Sequence, residues 1–285
     1  MKDIIISMDA TGDLTKELEE QFNIRHIDME FFVGEDQFYT ANDDVVSSRI
    51  YERMRKGERT STSQINETAY EEYFGELIKE NKPIVHVTLS SGLSGTYNSA
   101  KAVAYRLNQQ EGVDIRIIDS LGGSSGQGLI AILASDFAKE ANSVDEVQEY
   151  LENITKNVSH NFTVDNLKYL AQGGRISGSA ALVGNLLSIK PIIKADENGK
   201  LFSFMKVISR KKSLKTLFNL FKENVKIDSK YCFVSHADAE SDALALKAMI
   251  EQETNFKPLL TNIGPVMGSH CGPGTIAVFY ESNKK

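Results

Sequence analysis

The sequence predicts an α/β fold, with a largely parallel, helix-flanked sheet over residues 1–156 and a second, α+β domain over 157–285. Three observations carry this reading. Short apolar runs alternate with amphipathic stretches through the first half, the pattern of strands joined by crossover helices. Past Asn157 that rhythm breaks, and a hairpin signal, Asn198-Gly199, separates two strand-like runs. The chain has 285 residues, 41% hydrophobic and 25% charged, enough for two ordinary globular cores.

Ile4 to Met8 is apolar throughout and reads as a buried strand closed by the polar turn "DATGDL". "LTKELEEQFN" has helical spacing, and "IRHIDMEFFV" is one strand-like run rich in β-branched and aromatic residues. Val45 to Lys56 and Glu67 to Glu80 are amphipathic helices, joined by the hydroxyl-rich loop "RTSTSQIN". The strand "PIVHVTL" opens on Pro83, where a missing N–H suits a strand start. Helices over Thr96–Gln110 and Gly128–Glu140 bracket the strand "VDIRIID". The next helix, "SVDEVQEYL", has Ser143 as N-cap and Glu146 at the capping-box position. Beyond 157, a Gly/Ser-rich helical segment precedes a hairpin of "IKPIIKA" and "KLFSFMKVI". A strand "KYCFVSHA", a helix over Ala239–Gln252 and a closing strand "GTIAVFYE" complete the chain. The segment around 58–76 is placed against the second domain.

With 32 Lys+Arg against 39 Asp+Glu, the net charge is -7, which argues against nucleic-acid backbones as partners. Two cysteines, Cys232 and Cys271, build no disulfide framework. The N-terminal apolar run is too short for a secretory h-region, and no stretch approaches the ~20 apolar residues of a membrane span. A cytoplasmic protein is expected, with at most transient membrane contact.

Five stretches could carry chemistry. "SSGLSGTYN" lies at a strand's carboxyl end, where an open α/β sheet binds its ligands. It fails the nucleophile-elbow pattern at the last position and the phosphate-loop pattern for want of lysine, leaving an anion grip or a serine-rich N-cap. "TSTSQ", Thr60 to Gln64, clusters hydroxyls before a helix; a capping loop is the bland alternative. "GQGLIA" imitates a dinucleotide fingerprint without its frame, so a closely packed glycine-rich helix entry is the simpler reading. "GSHCGPGT" sets His270 beside Cys271, at no recognised metal spacing; a neutral His270 donating one N–H is the economical use. "AQGGRIS" and "SRKKS" concentrate positive charge, either as a solvated face or as a dock for an acidic partner.

Together, "DATGDL", "TSQ", "SSGLSGTYNSA", "GGRIS", "LLSIKPII", "RKKS" and "GSHCGPGTIAVF" resemble the DegV family, in family order from residue 9 to 279. Two positions depart from its pattern: Ala10, where serine is usual, and Ile208, where arginine is frequent, with Arg210 as a substitute. The resemblance implies a two-domain protein with a ligand tunnel between or within its domains, burying one long-chain fatty acid. It implies no cofactor and no chemistry by this chain alone. A partner ATP-dependent fatty acid kinase would phosphorylate the presented carboxylate, and the acyl phosphate would feed phospholipid synthesis. Carried over by motif, Thr62, Ser94 and His270 hold the carboxylate, with Ser63 and Gly95 nearby. Arg175, Arg210, Lys211 and Lys212 are the kinase-docking candidates. The rival readings are a serine-type acyl hydrolase using Ser94 with His270, and a nucleotide-binding regulator built on "GQGLIA".

Overall fold

The structure, a computed structural model, describes residues 3–40, 44–176 and 189–283. Strand β1 (Ile5–Asp9) is buried along its whole length and ends in a 3-10 turn, Ala10–Gly12. Helix α1 (Lys16–Phe22), capped by the Thr15 hydroxyl, leads to β2 (Ile24–Ile27). Then come β3 (Glu30–Val33), β4 (Asp36–Tyr39), α2 (Asp44–Arg55) and β5 (Thr60–Thr62). The single strand expected over 24–33 is thus two strands in different sheets. The hydroxyl-rich "loop" is also partly a strand: Thr62 pairs with Phe31 and Thr60 with Val33. Three residues are too few for periodicity to register.

Helix α3 (Glu67–Leu77), β6 (Ile84–Thr88), α4 (Thr96–Leu107) and β7 (Ile115–Asp119) follow the expected order. Helix α5 (Ser125–Ala138) begins three residues before its expected start at Gly128. Helix α6 (Val144–Ile154) has the expected cap, the Ser143 hydroxyl accepting from the Glu146 N–H at 3.2 Å. The Glu146 carboxylate, however, reaches the Asn142 N–H, so the capping box closes one residue early. Strands β1, β2, β6 and β7 form a parallel sheet in the order β2-β1-β6-β7.

The chain then enters β8 (Val158–Thr163), a strand the sequence reading did not separate from the segment after it. Helix α7 (Lys168–Gly173) covers part of the expected Gly/Ser-rich helix; residues 177–188 of that expectation lie outside the described residues. The hairpin β9 (Ile189–Ala195) and β10 (Leu201–Ile208) is as expected. Its tip is a turn over Asp196–Gly199 with Gly199 at φ +69, the left-handed step that returns the chain. Helix α8 (Arg210–Asn224), β11 (Cys232–His236), α9 (Glu240–Glu253), β12 (Leu259–Asn262), α10 (Pro265–Cys271) and β13 (Ile276–Glu281) complete the described chain. The second sheet runs β10-β9-β8-β13-β11-β12, antiparallel except for β11–β12. A small antiparallel sheet, β4-β3-β5, packs with α2 against α10.

The cores explain the layering. Helix α5 is buried from Ser125 to Ser135 and packs on both large sheets, so it is apolar around its whole circumference. Helices α8 and α9 cover the outer face of the second sheet through Leu217, Phe218, Phe221, Leu246 and Ile250. We propose a domain boundary at 156/157, where the chain changes sheet; β5 crosses it to meet α10. Among the described residues no helix is long and apolar enough to cross a membrane. Leu217→Ala, at a fully buried site between α8 and the second sheet, should lower stability by about 2–5 kcal/mol in denaturant unfolding.

Candidate functional site

Two loops at carboxyl ends of the parallel strands are fixed by carboxylates, Asp9 fully buried and Asp119 half-buried. After β6, the Leu89 N–H donates to Asp9 Oδ2 at 2.7 Å; His86 Nε2 lies 3.0 Å from Oδ1, and the Tyr70 hydroxyl also donates there. After β7, Asp119 Oδ1 accepts the N–H groups of Ser91 at 3.1 Å and Leu121 at 3.0 Å, tying both loops to one side chain. The hairpin tip lies on the first loop: the Ser90 hydroxyl donates to the Gly199 carbonyl at 3.0 Å. A Cβ at Gly92 would sit 2.5 Å from the Asn198 oxygen, so only glycine admits this approach.

Ser94 stands just before α4 with its donor available. Thr96 is fully buried, its Oγ1 accepts the Ile65 N–H at 3.3 Å, and its hydroxyl proton needs an acceptor. Ser94 Oγ supplies one at 2.8 Å and also accepts the Thr96 N–H at 3.2 Å. Ser94 therefore keeps its own proton to donate elsewhere.

Facing it, Thr62 of β5 and His270 of α10 meet across 208 residues of sequence, Oγ1 to Nε2 at 2.8 Å. The Thr60 hydroxyl holds the two elements together by donating to the Ser269 carbonyl at 3.0 Å. His270 and Cys271 occupy the last turn of α10, a short helix absent from the sequence-based expectations. Gly173 lets the His270 ring approach, and the ring's Nδ1 has no hydrogen-bond partner among the described residues. Burial, then the nearby Arg175 charge, lowers the imidazole pKa to about 4, so the ring is neutral near pH 7. Either tautomer leaves one donor unspent. If Nε2–H donates to Thr62, the threonine proton is free; if threonine donates, the Nδ1–H is free.

These groups edge a cavity of about 300 Å³, at the lower end of small-molecule pockets. Its walls are largely apolar, with Leu89, Phe162, Leu201, Ile263, Met267 and Phe279 among the lining residues. Thr62, Ser94, Gly95 and His270 all line it, so four of the five expected head-group residues converge. Ser63 does not; its N–H is spent on the Glu30 carbonyl at 3.1 Å. Gln64 lines the cavity instead, lying where any side chain at Gly95 would collide with it. The sequence signal for Gln64 was its place in "TSQ".

Arg175, expected at a docking face, is exposed but also lines the cavity, its Nε donating to the Leu93 carbonyl at 3.3 Å. Arg210 corrects the docking expectation. It is an internal brace, bonded to Asp242 at 2.7 Å and to the Gly274 carbonyl at 2.7 Å. Lys211 and Lys212 are exposed on the first turn of α8.

The rival chemistries lack their geometry. Ser94 bonds Thr96 and His270 bonds Thr62, so Ser94 and His270 do not pair as nucleophile and base. Cys271 lines the cavity, but burial pushes its thiol up to about 12, which keeps it protonated and unreactive. The first turn of α5, in "GQGLIA", is buried between sheets, with Gly128 packed on the Gly12 carbonyl; no phosphate could reach it. Among the described residues no group of three His, Cys, Asp or Glu side chains gathers as a metal site.

The arrangement defines a class: α/β proteins with a ligand-sized apolar cavity between two sheets, rimmed by uncharged donors. The chain belongs to the DegV family, whose model, described as an uncharacterised protein family, matches residues 3–283. A DegV domain-containing protein of Clostridium perfringens is 36% identical over 289 residues, covering 100% of this chain and 99% of that protein. A DegV lipid-binding protein of Thermotoga maritima shares the fold with a TM-score of 0.86 at 26% identity, each chain covered at 100%. DegV of Bacillus subtilis, a fatty acid binding protein, matches at a TM-score of 0.82 and 27% identity, covering 98% of this chain and 99% of its own.

Two buried groups make opposite pH contributions. His270 stays neutral in the fold down to about 4, below its ordinary 6.5, so its contribution to stability is lost as pH falls through that window. Asp13, which accepts the Ser124 hydroxyl at 2.6 Å, is pushed up to about 7 by burial, so its contribution grows as pH falls from 7 towards 3.8. Asp13→Asn should therefore lose stability more steeply than wild type on acidification, followed by thermal unfolding across pH. The His270 ring should titrate by NMR with a midpoint near 4.

Proposed function

We propose that the protein is a fatty acid carrier, burying a long acyl chain in the cavity and holding the carboxylate at its rim with Thr62, Ser94 and His270. The observation that carries the reading is the 2.8 Å Thr62–His270 pair, brought from distant segments to the edge of an apolar cavity with one donor left over. The solved relatives that bind lipid or fatty acid share this fold over essentially the whole chain, which supports the same ligand here.

The energetics divide the work. Each buried methylene contributes about 0.8 kcal/mol, so the tail supplies most of the affinity. The head is met by hydroxyl and imidazole donors that orient it without neutralising it. Arg175 lies beside this rim in the open, so the carboxylate keeps a path to solvent. That suits a carrier whose cargo is modified by another protein. An ATP-dependent kinase is the partner we infer, docking at the rim with Arg175, Lys211 and Lys212 as its cationic contacts, and producing an acyl phosphate for phospholipid synthesis. Arg210 is left out of these contacts, because its guanidinium is turned into the fold and held by Asp242 and the Gly274 carbonyl.

Extraction of the purified protein followed by mass spectrometry should yield a long-chain fatty acid. Thr62→Val and Ser94→Ala should each weaken its binding by about 1–3 kcal/mol, the cost of one lost donor. Normal affinity in both variants would remove these residues from the head-group site. Lys211→Glu with Lys212→Glu should leave acid binding intact while slowing phosphorylation by the kinase; unchanged phosphorylation would dissolve the docking assignment.

A further inference from the structure

We propose that His160, seated against the glycines that open α5, is the floor of the cavity and sets the length of acyl chain the protein holds. This rests on the fatty acid reading above and deepens it. No motif in the sequence singles out His160, and neither the hydroxyl clusters nor the positive stretches include it.

The strand register places His160 at the far end. His160 of β8 lies opposite Phe279 of β13, and Phe162 opposite Ala277. All four line the cavity, while the alternate residues face away: Asn161 donates to the Tyr280 hydroxyl at 2.9 Å on the other face of the sheet. The head-group end is marked by Thr275, whose hydroxyl bonds the Cys271 carbonyl at 3.1 Å, one residue from His270. Phe279 is four residues further along β13, about 13 Å at the rise of an extended strand. The His160–Phe279 pair therefore stands about 13 Å beyond the residue that marks the head-group end.

The floor is rigid, and the wall beside it is not. His160 is 5% exposed and meets Phe279 edge to face, with ring centroids 5.6 Å apart. A Cβ at Gly122 would lie 1.9 Å, and one at Gly126 2.3 Å, from the imidazole Cε1, so the backbone of the α5 entry presses directly on the ring. Bounded by two backbones and an aromatic ring, the imidazole has no room to swing aside. Gly123 is a spacer of another kind: a Cβ there would lie 2.7 Å from the terminal methyls of Leu89 and Met267, both of which line the cavity. Its backbone is not in the left-handed region, so alanine is admissible and would act by displacing those methyls inward. A chain whose last methyl touches the His160–Phe279 pair gains nothing from a further methylene. A longer one must fold back or lift its carboxylate off the donors.

The test is a homologous series of saturated acids, octanoic through eicosanoic, titrated by displacement of a fluorescent fatty acid. Below the limit each added methylene should tighten binding about fourfold, and beyond it the gain should stop. His160→Ala should move the break to longer acids, and Gly123→Ala to shorter ones. His160→Leu, which refills the space without a polar ring, should restore the wild-type break. Circular dichroism confirms that each variant is folded. Breaks that stay at the wild-type length in both alanine variants overturn the floor assignment, as does a leucine variant that behaves like alanine. A wild-type protein that binds no acid of the series overturns the fatty acid reading itself.

Discussion

One contact between neutral groups, the Thr62–His270 hydrogen bond, ties the rim of the cavity together. Thr62 comes from the small sheet and His270 from the end of α10, in the second half of the chain, so the pair exists only when the small sheet, α2 and α10 are packed together. Burial makes charge on the ring expensive, which is why the imidazole pKa is lowered and the ring is a donor or acceptor rather than a cation. A neutral donor set grips a carboxylate through hydrogen bonds alone. It gives direction and modest energy, and leaves the negative charge on the ligand.

Affinity for an amphipathic ligand must then come from the apolar wall, and that wall exists because of α5. The helix is sandwiched between two sheets, and its entry is built from glycines where bulky residues would ordinarily fill the layer. The side-chain carboxylates of Asp9 and Asp119, accepting backbone N–H groups, serve the same end and hold the loops at the strand ends in a fixed shape. Polar side chains thus maintain the outline of an apolar space, and each is satisfied away from the cavity.

Much of this was legible in the sequence. Long apolar or amphipathic runs, such as Ile84–Thr88 and Gly128–Glu140, matched the observed elements because their period exceeds the noise of a single window. The hydroxyl clusters at Thr62 and Ser94 and the histidine at 270 were identified, but nothing local revealed that they meet; that is a property of topology. The failures have physical causes. Strand β5 is three residues long, α10 is seven residues containing glycine and proline neighbours, and both fall below the length at which pattern speaks. Strand β8 carries His160, Asn161 and Thr163 inside a core, so its polarity hid a central strand. Arg210 read as a surface cation because sequence spacing cannot show that Asp242 and the Gly274 carbonyl await it.

A crystal structure of the protein as purified, without added ligand, would show what the cavity holds and which way round it lies. Elongated density should fill the space between the sheets, with its branched polar end within hydrogen-bond distance of Thr62 and Ser94 and its tail running towards Phe279. Density with its polar end at the opposite extreme of the cavity, or an interior closed by repacked side chains around a broken Thr62–His270 pair, would contradict that placement.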